Sequence, residues 1–469
     1  MRIVEKSIAT QVFRSGVVAL VAAVICLCSP LAQAQTPGNK AVYNSTDSSP
    51  IASTAYVDAS VFDGLPGNTR GDVCADIYQA LNSLGTSALM AVIDARGIPQ
   101  ASNAYTCTKT PWGPSGTNAI PSVILLPAGK IPIGTTWILP NKTRIIGEGA
   151  DSTETTGTVL QASFSGSYML QFGNSSICPT TPGSGPVCQG IGAENLTLDG
   201  VVGGIGGITN SLSQERTYVD HVSLINFGGS GLYGLKVATT NAQNSGPYSN
   251  LMFQGTGSSS VCAEMIGTGP TRGIHNINCS GSGTAGIELD ASGNSLENIT
   301  VSGGFTDGIL VGSNSTARGN VILNVTGGSV VTNIIHVCAF GVANVNCSGA
   351  NSVSDLTIMQ VNKNGGSGQT TILDDNVPQG TASTVVTDTH AAIYAIGEPM
   401  GSNSSNGVSR FTTATHSLNV PTWLIGSGIP LTGTNSCTTD QYGSLYSDNK
   451  ASDSATLYVC VQGKWTFIH

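Results

Sequence analysis

The sequence predicts an all-β chain: a parallel β-helix closed by an N-terminal capping helix and followed by a small C-terminal β module. Three observations predict it. Apolar residues come in bursts of three or four, each ended by Pro, Gly or Asn, as in "SVILLPAGKIPIGTTWILPNKTRIIGEGA" (122–150). A short apolar–polar–apolar pattern recurs along the middle of the chain. Only 10% of the 469 residues are charged and 60 are Gly, which fits neither a disordered chain nor a helical one but suits many short strands and tight turns.

The elements follow in order. Arg2, Lys6 and Arg14 flank the apolar run "GVVALVAAVICLC" (16–28), and Ala32 and Ala34 place a small-residue cleavage site before Gln35. Residues 1–34 are therefore expected to be a secretory signal and 35–55 a linker. The run is shorter than the ~20 residues that span a bilayer, and no later segment is long and apolar enough, so no membrane span is expected. The protein is placed outside the cytoplasm, secreted or periplasmic. Cys26 and Cys28 leave with the signal. The even set that remains (74, 107, 178, 188, 262, 279, 338, 347, 437 and 460) predicts disulfides. The simplest partners are sequential neighbours such as Cys178 with Cys188 and Cys437 with Cys460. No Cys-x-x-Cys spacing points to a structural zinc cluster. The net charge of −9, with no basic stripe, argues against nucleic acid as a partner.

Residues 56–360 carry the repeat. "ENLTLDG" (194–200), "DHVSLIN" (220–226), "SNLMFQG" (249–255), "HNINCSG" (275–281), "ENITVSG" (297–303), "ILNVTGG" (322–328) and "ANVNCSG" (343–349) recur with anchors Asn195, His221, Asn250, Asn276, Asn298, Ile322 and Asn344. Repeats of 20–30 residues mean a solenoid whose units bury their apolar faces only by stacking. A second strand recurs in each unit, as in "GLKVA" (234–238), "AEMIG" (263–267), "GIELD" (286–290), "GILVG" (308–312) and "IIHVC" (334–338). Alternation points Leu196, Leu198, Val222, Leu224, Leu251, Phe253, Ile299 and Val301 inward, with Leu198, Leu224, Phe253, Val301 and Val325 in one row. Cys279 and Cys347 also fall at inward positions. They lie three coils apart, roughly 14 Å at ~4.8 Å per coil, so each pairs locally or stays a buried thiol. The Asn anchors are expected to satisfy the corners by pairing along the stack, and His221 in their column reads as one more corner residue.

Beyond Met359 the pattern loosens. "NKNGGSGQ" (362–369) and "GSNSSNG" (401–407) read as joints within an irregular region 361–407. Residues 408–469 read as a small β module closed by Cys437 and Cys460 with Trp465 in its core.

"GDVCADIYQALNSLG" (71–85), then "VILLPAGKIPIGTTWILPNKTRIIGEG" and "GTVLQAS" (157–163), resemble the pectate-lyase-like module of rhamnogalacturonases and related epimerases. The resemblance implies a right-handed parallel β-helix and a polysaccharide partner. It also implies that the Gly-Asp turn leads into a helix covering the open end of the coil. The residues support that helix: Asp72 is a fair N-cap, Val73, Ile77, Ala80, Leu81 and Leu84 form one apolar face, and Gly85 ends it. Asn-Thr-Asp, Asp-Asp and Gly-His-Gly signatures of the polygalacturonase branch are absent from the coils; "LDDN" (373–376) reads as a turn.

Stacking brings candidate chemistry to two faces. On the strand before each anchor, Glu194 falls beside Asp220 and His275 beside Glu297, with Asp199 after the first strand. Neighbouring carboxylates push each other's pKa apart, as glycosidic cleavage requires, so Glu194, Asp199 and Asp220 are the expected catalytic group. Glu215, Arg216, Lys236, Arg272 and His275 are the expected substrate contacts, with Arg216 near Asp220. On the other face Lys236, Glu264, Glu288, Leu310 and His336 form one outward column. There a lyase would find a base beside two acids, or a structural solenoid a salt-bridge ladder. No cofactor is expected, except Ca²⁺ if the chain is a lyase. The leading expectation is an exported lyase or glycoside hydrolase acting on an acidic, pectin-like polysaccharide. The rival is a non-catalytic carbohydrate-binding or cell-surface solenoid.

Overall fold

The computed structural model describes residues 55–85, 90–102, 104–113, 119–150, 157–181, 185–201, 204–256, 259–328, 331–338, 346–348, 353–354, 356–364 and 370–374, and the strands 393–396, 423–426, 445–448, 456–461 and 464–468. The signal region, Asn344, the joint at 401–407 and the pairing of Cys437 with Cys460 lie outside the described residues, as does the side chain of Trp465.

Among the described residues, twenty-one strands form one continuous parallel hydrogen-bonded network. The pairing registers sort it into three faces, so the chain is a parallel β-helix. The first sheet stacks Arg144–Ile146, the start of Gly192–Asp199, Tyr218–Asp220, Tyr248–Ser249, Ile274–His275 and the strands that follow. The second stacks Thr158–Ala162 on the later part of the same long strands, from Leu196, Val222, Leu251, Ile277 and Ile299 onward. The third stacks Tyr168–Phe172, Gly206–Asn210, Leu235–Ala238, Ala263–Gly267, the end of Ile274–Ala291, the end of Ser295–Val311 and Asn333–Val337.

One residue makes the corner between the first two sheets. Asn195, His221, Asn250, Asn276, Asn298, Asn324 and Gln360 all have φ between 51° and 58°, the left-handed conformation that Asn tolerates best among residues with a side chain. Their amides form a ladder: Asn276 donates to Asn250 (3.1 Å), Asn298 to Asn276 (2.9 Å) and Asn324 to Asn298 (2.8 Å). The anchor in the sixth repeat is thus Asn324, not Ile322, which points inward and is fully buried. The shift also moves Val325. It pairs with Ile299, one row away from Val301, while Leu198, Leu224, Phe253 and Val301 share the expected row with Cys279 between the last two. All are at most 1% exposed.

The corner between the second and third sheets is made by glycine. A Cβ on Gly207 would lie 2.1 Å from Leu224, and one on Gly234 would lie 2.6 Å from the Phe253 ring. Cys262 takes the same place one coil on and is bonded to Cys279.

The helix α1, Val73–Ser83, forms as expected. Asp72 caps it by accepting from the Ala75 amide at 3.0 Å, and Gly85 follows with φ 66°. Its buried residues Val73, Ile77, Ala80 and Leu81 join the core of the first coils, and Cys74–Cys107 ties it down. Cys178–Cys188 and Cys338–Cys347 complete four disulfides among the described residues. Cys347 does not belong to the interior: it packs with Ala285, Leu310 and Cys338 in a separate apolar cluster on the outer side of the third sheet. Parallel pairing also continues past residue 360, through Thr370–Asp374 and Ile393–Ile396. The C-terminal strands form a separate four-stranded sheet. No helix among the described residues is long and apolar enough to cross a membrane.

Candidate functional site

Of the expected catalytic group, Glu194 and Asp220 come together and Asp199 stands apart. Glu194 and Asp220 are in register on neighbouring strands of the first sheet, but each is engaged separately. Glu194 accepts from Arg144 Nη2 at 2.5 Å and from the Tyr218 hydroxyl. Burial, then the Glu194 carboxylate, push the Tyr218 phenol above its usual range. Asp220 accepts from Asn250 (2.7 Å) and Ser249 (2.8 Å) and faces His221 Nδ1 at 2.8 Å. Burial opposes its ionisation, but these partners outweigh it and hold the carboxyl below its ordinary value.

Asp199 lies past the left-handed corner, at the far end of the second sheet. There it accepts from Gln161 (2.9 Å), Asn226 (2.8 Å) and the Val201 amide (2.9 Å). The corner at Asn195 turns the strand between Glu194 and Asp199, which is why stacking did not unite them. Arg216 and Glu215 are exposed at another left-handed turn, and Arg216 makes no ion pair with Asp220. His275 lies 3.4 Å from Glu297 as stacking predicts, and its other nitrogen faces the Arg272 carbonyl. The Arg272 side chain is exposed.

The outer column of the third sheet is different. Lys236, Glu264 and Glu288 are in register on successive coils. Lys236 Nζ lies 2.5 Å from Glu264 Oε2, a charge contact rather than an aligned hydrogen bond. Glu264 is 3% exposed, Glu288 8% and Asp290 0%. One oxygen from each of the three lies within 4.8 Å of the others. Asp290 is held by Ser313 (2.9 Å) and by the amide (3.0 Å) and side chain (3.2 Å) of Asn314.

Water is largely excluded here, and Lys236 is the one cation facing three acids among the described residues. Burial, then the charges of Glu264 and Asp290, push Glu288 from 4.5 up to about 7. Burial also raises Asp290. Tyr233 donates to Glu288 Oε2 at 3.4 Å, and the Lys236 ammonium lies 4.8 Å from the centre of its ring. Burial, then Glu288 and Glu264, push the Tyr233 phenol well above its usual range. Tyr168, whose phenol burial also raises, flanks the same coils.

Stacking alone reaches Lys236, Glu264, Glu288 and His336. It misses Asp290, which alternation would have placed outward two residues after Glu288. It misses Tyr233 and Tyr168, which stand one residue before the corner position that Gly234 fills in one coil and Met169 in another.

Glu264, Glu288 and Asp290 could each turn one oxygen to a shared cation, and the Lys236 ammonium against Glu264 would compete with it.

No protein-family model matches the chain, and no curated protein matches it. Among solved structures, the A-module of mannuronan C-5 epimerase AlgE4 from Azotobacter vinelandii is 14% identical, over 68% of this chain and 91% of that one, with a TM-score of 0.28. DFA-IIIase from Arthrobacter chlorophenolicus A6, solved in complex with GF2, is 10% identical over 73% and 92%, with a TM-score of 0.31.

Proposed function

We propose that the chain is an exported glycan-cleaving β-helix and that its chemistry sits at Glu264 and Glu288, with hydrolysis preferred over elimination. One observation carries this: two carboxylates from adjacent coils share a water-poor face, one against an ammonium and the other kept protonated up to about pH 7. Glycoside hydrolysis uses such an asymmetric pair. Glu288 would deliver its proton to the leaving oxygen. Glu264, in register with Glu288 on the adjacent strand, would face the anomeric carbon. Tyr233 and Tyr168, both half-buried, border the same coils. Three acids against one lysine favour a neutral glycan over a polyuronate.

The test is to incubate the purified chain with a panel of neutral and acidic glycans, reading reducing ends and unsaturated-product absorbance together. New reducing ends without absorbance support hydrolysis. Absorbance with polyuronates would transfer the chemistry to a lyase reading, with Lys236 as the cationic partner.

The second reading is a non-catalytic carbohydrate-binding or structural solenoid. The low exposure of Glu264 and Glu288 favours it. It predicts no product from any glycan, and Glu288→Gln then changes stability alone.

A further inference from the structure

Two coils beyond Glu288 on the same outer column, His336 lies beside the Cys338–Cys347 disulfide. We propose that reduction of this disulfide creates a zinc site from His336, Cys338 and Cys347, so that the pair has two alternative closed states, disulfide and zinc.

One pair of ligand atoms already stands at the spacing of ligands to one ion. His336 Nε2 lies 3.6 Å from Cys347 Sγ. Tetrahedral zinc with Zn–S near 2.3 Å and Zn–N of about 2.0–2.1 Å puts its sulfur and nitrogen ligands ~3.5–3.6 Å apart. Ligand atoms of all three residues lie within 4.8 Å of one another. Reduction frees each sulfur to turn about its Cα–Cβ bond.

The surroundings favour a metal as well. His336 Nδ1 faces Asp307 Oδ2 at 3.0 Å, while Nε2 faces the Cys347 sulfur. An Nδ1 contact to a carboxylate is the support that metal-binding imidazoles use. Asp307 is itself held by Asn333 at 2.7 Å and Asn346 at 2.5 Å, and it is fully buried. Ala285 and Leu310 wall the sulfurs on the apolar side. His336, Cys338 and Cys347 are 3%, 1% and 2% exposed.

The chemistry balances. A dithiol reductant gives two electrons and two protons to the disulfide and becomes a disulfide itself. Zinc then replaces the two thiol protons, which pass to solvent. The three residues leave a fourth position for water. No Cys-x-x-Cys motif marks these residues, because the cysteines are nine positions apart and the fold supplies the histidine.

The experiment loads the reduced full chain with Zn²⁺, and in parallel with Co²⁺, and compares it with the Cys338→Ser/Cys347→Ser double variant. That comparison subtracts zinc taken by other reduced cysteines. One extra zinc per chain is expected, with sulfur-to-cobalt charge transfer and intense tetrahedral d–d bands for cobalt. His336→Gln, which keeps the disulfide for folding before reduction, should lose at least tenfold in affinity, and Asp307→Asn about 10–100-fold. Equal zinc uptake by wild type and double variant overturns the proposal. So does unchanged affinity in His336→Gln, or loss of the β circular-dichroism signal on reduction before metal is taken up.

Discussion

On the first sheet Arg144 lies 2.5 Å from Glu194, with side chains 40% and 19% exposed; on the third, Lys236 lies 2.5 Å from Glu264, with side chains 33% and 3% exposed. The contact distance is the same, but the remaining groups are not. Around Glu194 and Asp220 every charge has a dedicated partner and water nearby. Around Glu264 the next coil adds Glu288, and Asp290 follows, without a second cation. A solenoid stacks like residues on any face it builds. Where solvent is removed the stack pushes a carboxyl upward, as at Glu288; where hydrogen-bond partners outweigh burial, as at Asp220, it is held down.

The largest test of that contrast is catalytic. Removing a general acid or its partner carboxylate costs about 10²–10⁴ in rate. Once an activity is measured, Glu288→Gln and Glu264→Gln should each lower turnover by about that much and keep the fold. Asp220→Asn should leave turnover nearly intact and lower the melting temperature. The reverse pattern would move the site to the first sheet.

Next is the interior that both faces share. Phe253 is buried in the second sheet, stacked edge-on against Phe227 with ring centres 6.0 Å apart. Phe253→Ala should cost about 3–5 kcal/mol, read by chemical denaturation. A much smaller loss would mean that the coils collapse around the gap.

The two faces should also respond to pH with opposite signs. Glu288 binds its proton more tightly folded than unfolded. Its contribution is fully present below about 4.5 and is lost as pH rises through about 7, on the order of 3 kcal/mol at ~1.4 kcal/mol per pKa unit. Asp220 lies below its ordinary value, so its contribution is present above that value and lost as pH falls through the lowered one. Glu288→Gln should therefore melt higher than wild type at pH 8 and close to it at pH 4. Asp76 on α1 is also pushed up to about 7, by burial and then by Asp63, so Asp76→Asn measures the cap's share of the same slope. If both variants keep the full wild-type slope, neither acid is shifted.

The same contrast bounds what the sequence can tell. Register along a stack is written in the residues: the column Lys236, Glu264, Glu288, Leu310, His336 follows from counting. So does the inward row through Leu224 and Phe253, and so does the pairing of Cys178 with Cys188. What counting misses lies at the corners. Asn324, two residues after Ile322, sets the sixth repeat because φ chooses the corner, not the apolar pattern. Asp199 is five residues from Glu194, yet a left-handed corner stands between them. Tyr233 joins the Lys236 cluster because Gly234 bends the chain. Burial from outside the coil is equally silent in the repeat: nothing in "GIELD" says that Glu288 is nearly dry.

The smallest expected effect tests the solvent argument most directly. Arg144→Gln removes the partner of Glu194 on a face open to water, where ion pairs contribute about 0–1 kcal/mol and ions screen within ~3 Å at 1 M salt. Its cost should be below about 1 kcal/mol at low salt and vanish at 1 M NaCl. Lys236→Gln strips the cation from a carboxylate that is 3% exposed. Its cost should be several-fold larger and change little between the two salt conditions, because the counter-ions cannot enter. Chemical denaturation of both variants at both salt concentrations decides it. Equal salt dependence would mean that the third-sheet cluster is as wet as the first, and the asymmetry proposed for Glu264 and Glu288 would lose its cause.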